Sequence, residues 1–154
     1  MVTSNTMSEE FKVVATNRKA NFEYFLLERF EAGMSLQGSE IKSVRAGQVS
    51  LAEAYVRIEH HEAWLVEAHI ATYAQANRMN HITKRPRRLL LHRKEIQKLW
   101  DAVRLKGVTI VPIRVYIKEG RAKLEIAIAK GKNLRDKRDT IAKRDQEREM
   151  RREE

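Results

Sequence analysis

The most chemically loaded stretch of the sequence is Lys130-Gly131-Lys132-Asn133-Leu134-Arg135-Asp136-Lys137-Arg138, where five bases stand against one acid. Cations at that density suit the phosphates of a polyanion, because each phosphate they neutralise releases condensed counterions. Residues 139–154 balance five bases with six acids, so the attraction is concentrated at the start of the tail. Asp139 with Lys143 and Glu147 with Arg151 are i,i+4 pairs with the acid first, each contributing ~0.2–0.5 kcal/mol to a helix. Beyond Asn133 only Leu134, Ile141, Ala142 and Met150 are apolar, too few to pack a core. The tail, residues 130–154, is therefore expected to be disordered when free and to acquire structure on a partner. A second island, Lys84-Arg85-Pro86-Arg87-Arg88, holds four cations in five residues ahead of Leu89-Leu90-Leu91 and His92-Arg93-Lys94. It reads either as a solvated surface loop or as a phosphate contact, and the overall charge with the cluster at Lys130 favours phosphate.

Other chemistries find little support. His60, His61, His69, His81 and His92 show no tight metal-ligand spacing, and no phosphate loop, nucleophile elbow or paired-carboxylate signature is present. No enzyme, no metal and no cofactor is expected. With no cysteine there is neither a disulfide framework nor a thiolate site. A net charge of +10 points to nucleic acid ahead of an anionic membrane surface. No stretch approaches the ~20 apolar residues that span a bilayer, and Met1–Glu10 lacks the order of a secretory signal, so the protein is expected in the cytoplasm and without a membrane partner.

The 154 residues fit one domain, residues 11–129, between a frayed terminus, residues 1–10, and the tail. Phe11–Thr16 predicts a strand and Asn17–Asn21 a polar turn or single helical turn with an Asn cap. Phe22–Leu36 predicts one or two strands bent at Gly33. Gln37–Gly47 predicts a short helix with Ser39 as N-cap. Ala54–Glu59 and Ala63–Ala68 flank His60-His61-Glu62 as a hairpin, and Thr72–Arg88 reads as a basic loop. After Leu91, His92 sits where an N-cap would, three residues before Glu95, and Ile96, Leu99, Trp100 and Val103 repeat as one buried stripe of a helix ending at Gly107. Val111, Ile113, Val115 and Ile117 then alternate with polar positions, turn at Glu119-Gly120, and alternate again through Leu124, Ile126 and Ile128. Pro112 within that run belongs at an edge or a bulge. The sum is a mainly β, α+β chain: a small closed antiparallel barrel of the oligonucleotide-binding (OB) type, with two or three helices at its ends.

Several blocks, in order, resemble the bacterial SsrA-binding protein (small protein B) family: Asn17-Arg18-Lys19-Ala20, Phe30-Glu31-Ala32-Gly33, Leu36 through Gly47, Arg88 through His92, and Ala129-Lys130-Gly131-Lys132 with Asp136-Lys137-Arg138. The likeness runs from about Phe11 to about Met150. It implies an OB-type barrel that grips the tRNA-like domain of transfer-messenger RNA (tmRNA) and escorts it, without catalysis and as a monomer, to ribosomes stalled on messages that lack a stop codon. The family's RNA-gripping surface falls on Asn17, Arg18, Lys19, Asn21, Glu31, Lys42, Arg45, Leu90 and His92. A carboxylate such as Glu31 suits a base edge or ribose hydroxyl better than a phosphate. The tail would lie helical in the empty message channel beside the decoding centre, with Lys130, Lys132, Arg135, Asp136, Lys137 and Arg138 at ribosomal RNA. Arg135 stands where the family often carries an aromatic residue or histidine, Gln146 where tryptophan is common, and Phe22 where histidine is common. The alternative function is that of another ribosome-associated OB-type protein with no preference for tmRNA.

Overall fold

A tight Glu119-Gly120 turn, with φ of 53° and 77°, joins β-rich runs into the long hairpin that frames the molecule. The structure is a computed structural model that describes residues 11–72 and 81–132; the expectations for 1–10, 73–80 and 133–154 lie outside them. In chain order the elements are β1 (Phe11–Thr16), α1 (Lys19–Glu23), β2 (Tyr24–Met34), α2 (Gly38–Arg45), β3 (Val49–Ser50), β4 (Tyr55–Glu59), β5 (Glu62–Val66) and β6 (His69–Ile70). They continue with β7 (Arg87–Leu90), α3 (Arg93–Val103), β8 (Val108–Lys118) and β9 (Arg121–Gly131). Among the described residues the fold is mainly β with three helices. Seven antiparallel strands pair in the order β1-β8-β9-β2-β7-β5-β4, and β3 pairs with β6.

One face of the large sheet buries the main core. Phe30, Ala32 and Met34 of β2, Leu89 of β7, Val115 of β8 and Leu124, Ile126 and Ile128 of β9 meet Val44 of α2 and Leu99 of α3 there. A smaller cluster lies under α1, where Ala20 packs on Val111, Ile113, Ala127 and Ala129. A register shift between Pro112 and Arg114 explains why β8 serves both clusters: the bulge changes the phase, so Val111 and Ile113 belong to one and Val115 and Ile117 to the other. Pro112 therefore sits at a bulge, as its missing N–H requires. The plain alternation expected through Val111–Ile117 does not survive it.

Other expectations need correction. Phe22–Leu36 is the end of α1 plus a single strand, whose irregularity falls between Leu26 and Glu28 and not at Gly33. Gln37, not Ser39, caps α2: the Gln37 N–H donates to Glu40 at 2.8 Å, while Ser39 is buried against His81 at 2.8 Å. His92 does cap α3, with its N–H donating to Glu95 at 3.1 Å. Trp100 leaves the buried stripe of α3 and is 41% exposed, while Leu99 is fully buried and Val103 packs against the core. The polar stretch Thr72–Arg88 ends in β7, since Arg87 and Arg88 pair with Leu65 and Trp64. Finally, no strand pairing closes a barrel among the described residues: β1 pairs with β8 and β4 with β5, which leaves both as edges.

Candidate nucleic-acid interface

Since Phe30 and Ala32 point into the core, Arg29, Glu31 and Gly33 must point out of it. Their partners across the ladder are Ala127, Glu125 and Lys123, followed on β8 by Arg114 and Tyr116 and on the other flank by Leu90. One outer sheet face thus gathers residues from distant parts of the chain. Glu31, Gly33, Lys123, Arg88, Leu90 and His92 line an open depression of ≈ 380 Å³ on it. Gly33 keeps its floor open, because a Cβ there would come 3.3 Å from the Leu90 Cβ. Leu90, an apolar side chain, is 54% exposed there.

Glu31 is held from below. The Tyr116 hydroxyl donates to Oε2 and Lys118 Nζ lies 3.5 Å from the same oxygen. The Tyr116 bond, with Lys118 in support, outweighs partial burial and lowers the Glu31 pKa, so the carboxylate is charged and its acceptor orbitals are oriented. Burial, and then the Glu31 bond, raises the Tyr116 pKa and keeps that phenol a donor. Beside this pair, Arg29 and Arg114 bind the two oxygens of Glu125 at 2.8 and 2.9 Å. Arg114 also lies over the Phe11 and Tyr116 rings at 5.4 and 5.5 Å from their centroids.

Helix α2 borders the same face. A neighbouring depression, lined by Leu36, Ile41, Gly120 and Arg121, shares Gly33, Leu90 and Lys123 with the first. Arg45 Nη2 donates to the Gly120 carbonyl at 3.0 Å, which fixes the end of α2 to the β8–β9 turn; Arg45 and Lys42 are both exposed. The other end is fixed by the fully buried Glu40, which accepts from Arg85 and, at 2.7 Å, from Arg87. Burial works against the charge of Glu40, yet the bonds from Arg85, the Gln37 N–H and Arg87 hold its pKa below the usual value. Arg87 also donates to the carbonyls of Ala68, Ile82 and Thr83.

This corrects the reading of Lys84–Arg88 as a phosphate-binding island. Arg87 is spent inside the protein because β7 alternates Arg87 in, Arg88 out, Leu89 in and Leu90 out, and the half-buried Arg85, ahead of the strand, is paired with Glu40. Only Arg88 reaches the depression, while Lys84 lies near Glu53 and Glu67.

The other expected body residues lie elsewhere. Asn17 donates to the Pro112 carbonyl at 2.9 Å instead of capping α1, whose N-cap is Arg18. Arg18, Lys19 and Asn21 are exposed around that helix. From Tyr24, which follows α1, to Glu31 is seven residues along β2, a distance of ~23 Å. The structure therefore brings Glu31, Leu90 and His92 together, ties Arg45 of α2 to the Gly120 turn beside them, and sets the α1 group apart.

That second group joins the root of the tail. Lys130 lies within β9, opposite Phe25 and Val108, so the expected boundary after Ala129 falls inside a strand. Lys132 donates through its backbone N–H to Glu23 and through Nζ to the Asn21 carbonyl, both at 2.9 Å, and Nζ lies 5.1 Å from the Phe25 ring centroid. Arg135, Asp136, Lys137 and Arg138 lie outside the described residues. Sequence reasoning missed Tyr116, Lys118 and Lys123, although they are outward positions of the hairpin alternation that it did identify.

A family model described as SmpB protein matches residues 14–154. The SsrA-binding protein of Desulforudis audaxviator is 54% identical over 142 residues, covering 92% of this chain and 93% of that protein. That of Carboxydothermus hydrogenoformans is 50% identical over 139 residues, covering 90% and 93%. A solved structure described as "tmRNA-SmpB: a journey to the center of the bacterial ribosome" superposes with a TM-score of 0.66 at 38% identity, covering 82% of this chain and 92% of that one. Matched along nearly its whole length by the family model and by relatives at half or more identity, the chain belongs to the SmpB family.

Proposed function

We propose that this protein binds the tRNA-like domain of tmRNA through its outer sheet face and delivers that RNA to stalled ribosomes for trans-translation, the rescue and tagging of incomplete proteins. The family, the relatives named for binding SsrA and the tmRNA–SmpB ribosome neighbour support this reading. On the chain itself, the observation that carries it is the depression where Glu31, Leu90 and His92 converge from three separate elements. Glu31 accepts from a ribose hydroxyl or base amino group, Leu90 makes apolar contact and His92 stacks or donates, a combination suited to RNA shape and 2′-hydroxyls. Lys123, Arg121, Lys42 and Arg45 supply phosphate contacts around it.

Asn17, Arg18, Lys19 and Asn21 form a second contact at α1, beside the tail root at Lys130 and Lys132. The tail continues from there through Arg135, Asp136, Lys137 and Arg138 into the empty message channel, helical on the ribosome. The protein works in the cytoplasm as a non-catalytic escort, and its sheet curls in the manner of an OB barrel. Support for the curl is that Val56 of β4 and Val115 of β8 share one core although their strands do not pair. The reading is tested by titrating the tRNA-like domain and an unrelated RNA duplex at matched salt: tighter binding of the former is expected, and equal affinity overturns it.

A further inference from the structure

A second depression, ≈ 580 Å³, opens where the β4–β5 turn faces the first half of α3. It shares Glu62, Arg88, Leu91 and Ile96 with the one that holds Glu31, Leu90 and His92, so the two form one track across Arg88. His60, His61, Arg93 and Gln97 complete its lining, and all four are exposed. His60 and His61 form the two-residue turn with φ of 51° and 63°, a backbone that holds the hairpin tip in one shape. The His60 side chain is 91% exposed.

The acids of this corner are already engaged. Glu59 lies 3.2 Å from Arg57 and 3.8 Å from His60, and Glu62 lies 3.3 Å from Arg88. That last contact uses one Arg88 nitrogen and orients the other donors of a guanidinium that is 53% exposed. Arg93, in the first turn of α3, makes no ion pair among the described residues. The lining is thus rich in donors, while its apolar members, Leu91 and Ile96, are half-buried and offer no protruding anchor of the kind a protein partner uses.

We propose that this groove holds the sugar-phosphate backbone of the same RNA: past Glu31 and Leu90 the strand runs between the hairpin tip and α3. Arg88 and Arg93 meet phosphates there, and His60, His61 and Gln97 donate to phosphate or ribose oxygens. The inference rests on the RNA-binding function proposed above.

The test is a titration of the full-length chain with the labelled tRNA-like domain of tmRNA between about 50 and 200 mM KCl. Replacing Arg93, His60 and His61 together by Ala should weaken binding and reduce the log–log salt slope by about 0.7–0.9 per phosphate lost. Arg93→Lys alone, which keeps the charge, should keep the slope. The groove assignment is overturned if the triple variant matches wild type in slope and affinity, or if Arg93→Lys loses as much as Arg93→Ala. A wild-type chain that does not prefer this RNA to an unrelated duplex overturns the underlying function as well. Preference retained with slope and affinity both unmoved in the triple variant overturns the groove alone.

Discussion

Glu31 is oriented by Tyr116, a residue 85 positions away along the chain. With that hydroxyl removed, the carboxylate keeps Lys118 but loses its closest support. Tyr116→Phe should move the Glu31 pKa up towards its ordinary 4.5, read by carboxyl NMR titration, and weaken RNA binding less than Glu31→Ala does. The sign of the pH effect follows. A group whose folded pKa is depressed adds stability above its unfolded value and loses it as pH falls through the folded value. The contribution of Glu31 is therefore whole at neutral pH and disappears only in acid below 4.5, so the loss of RNA binding in Tyr116→Phe at neutral pH reports orientation and not charge.

Between elements, the strongest tie is Arg87, which joins β7 to α2 through Glu40 and to three backbone carbonyls. Arg87→Ala would leave a fully buried carboxylate with Arg85 as its remaining guanidinium, and such losses cost about 3–5 kcal/mol. Urea unfolding should register a drop of that order, and a variant as stable as wild type would mean that the pair is dispensable. The hairpins around His60-His61 and Glu119-Gly120, and the α3 cap at His92, were legible in the sequence because their signals are local: a period, a turn, a residue three positions on. Arg87 was not. Its charge looked like that of Arg88, and what separates them is a strand period of two together with an acid 47 residues away. The division of the expected site residues into a Glu31 group and an α1 group depends on the length of β2, which the expected bend at Gly33 concealed.

For the molecule as a whole, β9 runs past Ala129 to Gly131, and Lys132 is still bonded to Glu23 and Asn21. Removing residues 133–154 should leave the melting temperature and tmRNA binding near wild type while abolishing tagging on stalled ribosomes. Removing 130–154 also strips Lys130 and Gly131 from β9 and frees Asn21 and Glu23 from Lys132; a loss of roughly 1 kcal/mol would lower the melting temperature by about 3–6 °C. Identical melting of the two truncations would show that these contacts add nothing. The same anchorage has a mechanical side. Strand β9 is flanked on one side by β2 and on the other by β8, over most of its length. A pull on the chain beyond Lys132 therefore enters along the strand axis, where the hydrogen bonds of both ladders are strained together in shear instead of being peeled apart one at a time. Under such tension the strand resists as one piece with the sheet around it.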